Sequence, residues 1–169
     1  PTRKQSQLKN LTASQIDLLI KEGAVLVDVR DPEVYAHGHL AGSINIGLEG
    51  RFAEFAGSVI DPSEPIILCG DEEHIAEARL RLSRIGYDQV PGAVLVEDFD
   101  PASVNQANRI DPAELEALRN SGSSIALLDV RNPGELTDGV IEGSIHIPLS
   151  TLTRRINEVP NASKIVVYC

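Results

Sequence analysis

Cysteine is scarce in this sequence, with 2 among 169 residues. The four histidines, at positions 37, 39, 74 and 146, are scattered, and one cysteine falls in each half, so no metal-ligand spacing forms. Each cysteine closes an apolar strand-like run of its own half. Reduced thiols and a cytosolic setting are therefore expected rather than a disulfide. Long apolar runs are missing too: none approaches about 18 residues, which argues against a transmembrane helix. The start, Pro1-Thr2-Arg3-Lys4-Gln5, is polar and has no signal-peptide core behind it. Positive charge is in deficit: 15 Lys and Arg against 25 Asp and Glu leave a net charge of −10. A phosphate backbone or an anionic membrane would repel such a chain, so neither nucleic acid nor membrane is an expected partner. Position 1 is Pro rather than Met, and the chain closes on an apolar run at Cys169. An excerpt of a longer polypeptide is the expectation.

What is present is a duplication. Val27-Asp28-Val29-Arg30, Gly42-Ser43-Ile44-Asn45-Ile46 and Ile66-Ile67-Leu68-Cys69 return as Leu128-Asp129-Val130-Arg131, Gly143-Ser144-Ile145-His146-Ile147 and Val166-Val167-Tyr168-Cys169. Residues 28–46 and 129–147 align without a gap, and nine of nineteen positions are identical. The Asp-Val-Arg copies lie 101 residues apart and the cysteines 100 apart, which places Cys69 and Cys169 at equivalent points. A repeat of about a hundred residues is the size of a domain, not of a solenoid unit. The expected division is a first domain over 1–100, a linker over 101–108 and a second domain over 109–169. Residues 97–108 are acidic and polar, as a linker would be.

Along the chain, Thr12-Ala13-Ser14-Gln15 reads as a capping box opening a helix with Ile16, Leu19 and Ile20 on one face and Gly23 at its end. Residues 24–29 are apolar up to Asp28, the pattern of a strand buried on both faces of a parallel sheet. Glu33 to His37 fits a helical turn, 43–46 a short strand, and Phe52, Phe55, Ala56 and Val59 a helix face. Ile66 to Leu68 is another buried strand, with 69–73 read as its loop. A helix with Ile75, Arg79, Leu82 and Ile85 at helical spacing and Ala78 beside them follows, closed by Gly86 in the left-handed cap position. Residues 90–96 give a further strand. In the second copy, Asp111-Pro112-Ala113-Glu114 repeats the capping signal, 125–130 the buried strand, Leu152, Ile156 and Val159 a helix face, and 165–168 the strand before Cys169. Strands alternating with helices predict an α/β fold with a largely parallel sheet. In such sheets ligands gather beyond the carboxyl ends of the strands, where a thiol would meet helix N-terminal amides that favour a thiolate.

These stretches resemble tandem rhodanese-homology (sulfurtransferase) domains. The resemblance rests on Leu26 to Arg30, Tyr35 and Gly38 to Ile46, then on Leu128 to Arg131, Glu135 and Gly139 to Pro148, together with the cysteine strands and the Gly86-Tyr87 step. It implies a central, mostly parallel sheet flanked by helices in each domain, the second truncated after its cysteine strand. It also implies a mechanism without a cofactor. A cysteine takes the outer sulfur of a small sulfur-containing anion such as thiosulfate, holds it as a persulfide in a cradle of loop amides, and passes it to cyanide or a thiol. Cys169 and Cys69 are the candidate sulfur carriers, with Asp28, Arg30, Asp129, Arg131 and Glu135 as supporting residues.

The first copy departs from the family pattern. Cys69-Gly70-Asp71-Glu72-Glu73-His74 holds three carboxylates and no Arg. Like charges about 4 Å apart cost roughly 1 kcal/mol each even in water, which disfavours both a thiolate and an anionic donor there. The first domain is thus expected to be inactive, and Cys69 has the alternative reading of a small buried hydrophobe. The acidic run also reads as matching to a helix N-terminus. His39 reads as a hydrogen-bonded turn residue, His74 as a solvated helix start, Arg154 and Arg155 as surface, and the Asp–Arg pairs as scaffold ion pairs. Gly47 to Gly57 further resembles the first of two rhodanese modules that follow a metallo-β-lactamase-fold domain in persulfide dioxygenase-like fusions. No His-x-His-x-Asp-His motif occurs, so a fused or partner metallo-hydrolase domain would lie before Pro1. The two functional expectations are a sulfurtransferase and a non-catalytic binding or docking module.

Overall fold

The computed structural model describes residues 8–169; the polar start at 1–5 lies outside them. The chain divides into two compact units, one ending at Asn108 and one running from Arg109 to Cys169.

In the first unit, α1 (Ala13–Lys21) begins at the expected capping box of Thr12 and Gln15, in which the Gln15 side chain accepts from the Thr12 N–H at 3.1 Å. β1 (Val25–Asp28) leads into α2 (Pro32–His37), capped by the Asp31 carboxylate accepting from Glu33 N–H. Then come β2 (His39–Leu40), β3 (Ile44–Asn45), α3 (Phe52–Val59), β4 (Ile66–Gly70), α4 (Glu72–Arg84), β5 (Gly92–Leu95) and β6 (Val104–Asn105). The main sheet has the order β3-β1-β4-β5 and every pairing in it is parallel.

Alternation along β1 and β4 sends side chains to two cores. Val27, Ile66 and Leu68 join Phe52 and Ala56 of α3 and Ile75, Ala78 and Leu82 of α4 on one face. Leu26, Ile67 and Cys69 join Leu11 and Ile16 on the other. Ile66, Ile67 and Leu68 are wholly buried, each stabilising the fold by roughly 1.5–3 kcal/mol in transfer terms. Gly86 has φ +85°, the left-handed conformation that ends α4.

Two features of this unit differ from the sequence expectation. β4 runs through Cys69 and Gly70, so the cysteine is inside the strand and only Asp71 separates strand from helix. The stretch read as a linker is also structured. Val104 and Asn105 pair antiparallel with Leu40 and His39, Ala41 N–H donates to Ser103 O at 2.9 Å, and Ala107 N–H donates to Ala36 O at 3.0 Å. Its polar composition reflects an edge position, not freedom from the fold.

The second unit contains α5 (Pro112–Asn120), β7 (Ile125–Asp129), β8 (Ile145–His146), α6 (Leu149–Leu152) and β9 (Lys164–Tyr168), with parallel sheet order β8-β7-β9. Asp111 and Glu114 form a reciprocal capping box at α5, with both bonds at 2.8 Å. Leu128, Val130 and Ile147 form the core, with Ile145, Leu152 and Val159 against it. The single helix face expected over Leu152, Ile156 and Val159 is broken: α6 stops at Leu152, a 3₁₀ turn spans Ile156–Glu158, and Ile156 is exposed. β9, expected as the strand before Cys169, is the edge of the described sheet, and Ile165 and Val167 are each 53% exposed. Two parallel sheets flanked by helices make the fold α/β. Among the described residues no helix is long and apolar enough to cross a membrane.

Candidate functional site

Each unit carries one constellation at the carboxyl end of its first long strand. In the first, the Arg30 guanidinium folds back on Asp28. Arg30 Nε donates to Oδ1 at 2.9 Å and to Oδ2 at 3.1 Å, and Nη2 donates to Oδ2 at 2.5 Å. Nη2 also donates to Gly38 O at 2.8 Å, and the Arg30 N–H donates to Asp28 Oδ1 at 3.0 Å. The guanidinium lies 5.3 Å from the centre of the Phe99 ring. Its hydrogen bond to Asp28 raises its pKa above the ordinary arginine value. Asn45 Nδ2 donates to the carbonyls of Asp28 (3.0 Å) and Arg30 (2.9 Å), locking β3 to the same corner.

The second unit repeats this arrangement. Arg131 Nε donates to Asp129 Oδ1 at 3.0 Å and Nη2 donates to Oδ2 at 2.7 Å and to Gly139 O at 2.8 Å. Hydrogen bonding to Arg131 holds the Asp129 carboxyl well below the usual carboxylate range. His146, in the place of Asn45, has Nε2 2.9 Å from Arg131 O. Both Asp28 and Asp129 are wholly buried. The Asp-Val-Arg motif thus acts as a clasp that joins a strand end to the turn eight residues on. Glu135 acts locally, its carboxylate accepting from Asn132 N–H at 2.8 Å and so capping the 3₁₀ turn Pro133–Asp138.

The cysteines are not equivalent. In the first sheet Asp28 pairs with Cys69, and in the second Asp129 pairs with Tyr168. Val29 N–H donates to Cys69 O at 2.9 Å, and Val130 N–H donates to Tyr168 O at 3.1 Å. Cys69 therefore corresponds to Tyr168, and Gly70 to Cys169. The near-equal spacing concealed this because 41 positions separate Asp28 from Cys69 and only 39 separate Asp129 from Tyr168. The strand register is the signal that separates them.

The surroundings of the two thiols follow from this. Cys69 is wholly buried among Leu11, Ile16, Leu26, Ile67 and Val94. Burial, then the negative charge of Asp28, pushes its thiol far above the ordinary range, against a weaker opposing pull from Arg30. The expected exposed loop thiol at a helix N-terminus is not present there, because residue 69 shares the inward face of β4 with Ile67. A Cβ at Gly70 would meet Val29 Cγ2 at 3.1 Å and Ile75 Cγ1 at 3.7 Å, under the first turn of α4. Asp71 caps that turn through His74 N–H (3.0 Å) and lies 2.5 Å from His74 Nδ1, while Glu72 and Glu73 occupy its start. The acidic run is helix capping, and no cluster fit for a metal occurs among the described residues. His39 is buried in β2, with Nδ1 2.9 Å from Tyr35 O. Cys169 follows β9 and is exposed, and both thiols are free.

Sequence reasoning missed Tyr168 as a site residue. Its hydroxyl accepts from Ile141 N–H at 3.2 Å and donates to Ser144 Oγ at 3.0 Å, and Arg131 lies 5.4 Å from its ring centre. The tyrosine directly before Cys169 was visible in the sequence; its partners were not.

Comparison with known proteins agrees with this architecture. A family model described as Rhodanese-like domain matches residues 12–105 and again 111–169. A thiosulfate sulfurtransferase GlpE of Pseudomonas entomophila is 44% identical over 77 residues, covering 44% of this chain and 70% of that protein. A sulfurtransferase of Allochromatium vinosum is 29% identical over 62 residues, covering 37% of this chain and 58% of that relative's own length. Among solved structures, a metallo-beta-lactamase from Staphylococcus aureus subsp. aureus COL is 26% identical with a TM-score of 0.46, the match covering 56% of this chain and 26% of that one.

Proposed function

Since the chain belongs to the rhodanese-like domain family, we propose that its second unit carries sulfane sulfur on Cys169 and that its first unit is a non-catalytic companion. One observation carries this reading. Cys169 is exposed one residue beyond the strand position paired with Asp129, whereas the first unit has Gly70 in that place and turns Cys69 into the core.

The chemistry is a two-step exchange. The Cys169 thiolate attacks the outer sulfur of thiosulfate; a new S–S bond forms, the old one breaks, and sulfite leaves with the bonding pair. An acceptor thiolate or cyanide then attacks the terminal sulfur of the persulfide and restores the Cys169 thiolate. The relatives named for thiosulfate support thiosulfate as the donor to test first. Asp129 and Arg131 neutralise one another, so their part is to hold the strand end and the Gly139 turn rather than to bind the anion.

For the first unit the proposed role is binding or docking. Support comes from its one-residue connection between β4 and α4, which leaves no stretch of loop amides to hold a persulfide. The proposed domains are the duplicated halves, the first carried on to Asn108 by the pairing of β6 with β2 and the second running over 109–169. A fused or partner metallo-hydrolase domain remains a narrower proposal, resting on the Gly47 to Gly57 resemblance.

The test uses the protein expressed from its natural gene. Label from outer-sulfur-labelled thiosulfate is expected on the parent protein and on Cys69→Ser, and is expected to vanish from Cys169→Ser. Equal labelling of the parent and Cys169→Ser overturns the reading.

A further inference from the structure

We propose that Tyr168 is a positioning residue for Cys169; the inference rests on the reading of Cys169 as sulfur carrier. Three parts of the second unit meet on this residue, the first through its backbone and the others through its side chain. Its carbonyl accepts from Val130 N–H at 3.1 Å, tying it to the end of β7. Its hydroxyl accepts from Ile141 N–H at 3.2 Å and donates to Ser144 Oγ at 3.0 Å, tying it to the turn before β8. Its ring packs against Arg131, itself fixed on Asp129 and on Gly139 O. Cys169 is the next residue, so the same bonds set where its thiol leaves the strand.

The first unit supplies an internal control. It meets the same two structural demands with different side chains. Tyr35 Oη donates to Ser43 O at 2.6 Å, reaching the turn that Tyr168 reaches through Ser144. Phe99 provides the ring beside Arg30. His39 stacks on Tyr35 with ring centres 3.8 Å apart, completing the substitute. The position equivalent to Tyr168 is then free to hold a small cysteine. Stabilising the turn and the arginine therefore does not require a tyrosine on the strand. The second unit places both functions on the one residue that adjoins its exposed thiol, and this couples the clasp to Cys169.

The experiment compares Tyr168→Phe, which keeps the ring and removes the hydroxyl bonds, with Tyr168→Leu, which removes both, and uses Tyr35→Phe as the control. All are made in the protein expressed from its natural gene. Alkylation of Cys169 by iodoacetamide is followed by peptide mass spectrometry as a function of pH, alongside thermal unfolding. This readout reports on the thiol whether or not sulfur is transferred, so it stays separate from the Cys169→Ser labelling test. A lost hydrogen bond corresponds to about three- to tenfold in rate. The expected result is a shifted pH profile with at least about a threefold rate change in Tyr168→Leu, partly restored in Tyr168→Phe, and an unchanged Cys169 profile in Tyr35→Phe. The proposal is overturned if both Tyr168 variants keep the parent profile, or if Tyr35→Phe alters it equally.

Discussion

Gly70 holds in the first unit the register position that Cys169 holds in the second, one residue past the partner of the clasp aspartate. A first consequence concerns thiol reactivity. Cys169 is exposed and Cys69 lies in the core with its thiol pushed to high pKa by burial. With a disulfide-exchange reagent at pH 8 and peptide mass spectrometry, Cys169 is expected to react in the native state and Cys69 only after denaturation. Fast reaction of Cys69 in the native protein would contradict its placement in the core.

Restoring a cysteine at position 70 is expected not to restore chemistry. The new side chain would press on Val29 and Ile75 beneath α4, and Asp71 alone spans the gap to that helix. Gly70→Cys in a Cys169→Ser background should take up no label from thiosulfate. Labelling at residue 70 would show that the short connection is no barrier.

Much of this was legible in the sequence, and the exceptions have physical causes. Capping residues are local signals, so Thr12, Asp111 and Gly86 mark helix ends without reference to the rest of the fold. Buried parallel strands need continuous apolar runs, and 24–27, 66–68 and 125–128 supply them. Parallel register is not local. It is fixed by packing and by connections whose lengths differ between the copies, so aligning Cys69 with Cys169 by spacing misplaced one by a residue. The pairing of His39 and Leu40 with Asn105 and Val104 was hidden because two-residue strands carry no periodicity. Tyr168 was missed because its partners Ile141 and Ser144 lie more than twenty positions away.

The clasp in the first unit should be costly to open. Asp28 is wholly buried, and Arg30 supplies most of its hydrogen bonds. Arg30→Ala leaves that carboxylate uncompensated and is expected to destabilise the unit by about 3–5 kcal/mol. Urea unfolding of the variant beside the parent measures it. A loss below about 1 kcal/mol would mean that the pair is replaceable by water.

Gly92 is required by close backbone approach. A Cβ there would lie 2.6 Å from Leu11 Cγ and 2.7 Å from Lys9 O, and Lys9 O already accepts from Ala93 N–H. The neighbour is backbone in a bonded ladder and cannot move aside alone. Gly92→Ala is expected to cost about 1–3 kcal/mol by overpacking. Equilibrium unfolding checks this, and a neutral result would show that the segment around Lys9 is free to shift.

Acid should loosen the second clasp in a predictable direction. Hydrogen bonds from Arg131 hold the folded Asp129 carboxyl below its usual range, while desolvation opposes them. A group with a depressed folded pKa contributes stability that is complete above its unfolded value, about 3.9 for aspartate, and is lost as pH falls through the folded value. Amide protection across 125–131 is therefore expected to be constant from about pH 7 to about 5 and to fall below about 4. Hydrogen exchange read by mass spectrometry, corrected for intrinsic rates, provides the measurement. Asp129→Asn should start with lower protection and lose the acid-dependent step, because no proton is taken up at that position. If the variant retains the full step, the acid sensitivity belongs to other carboxylates and not to the clasp.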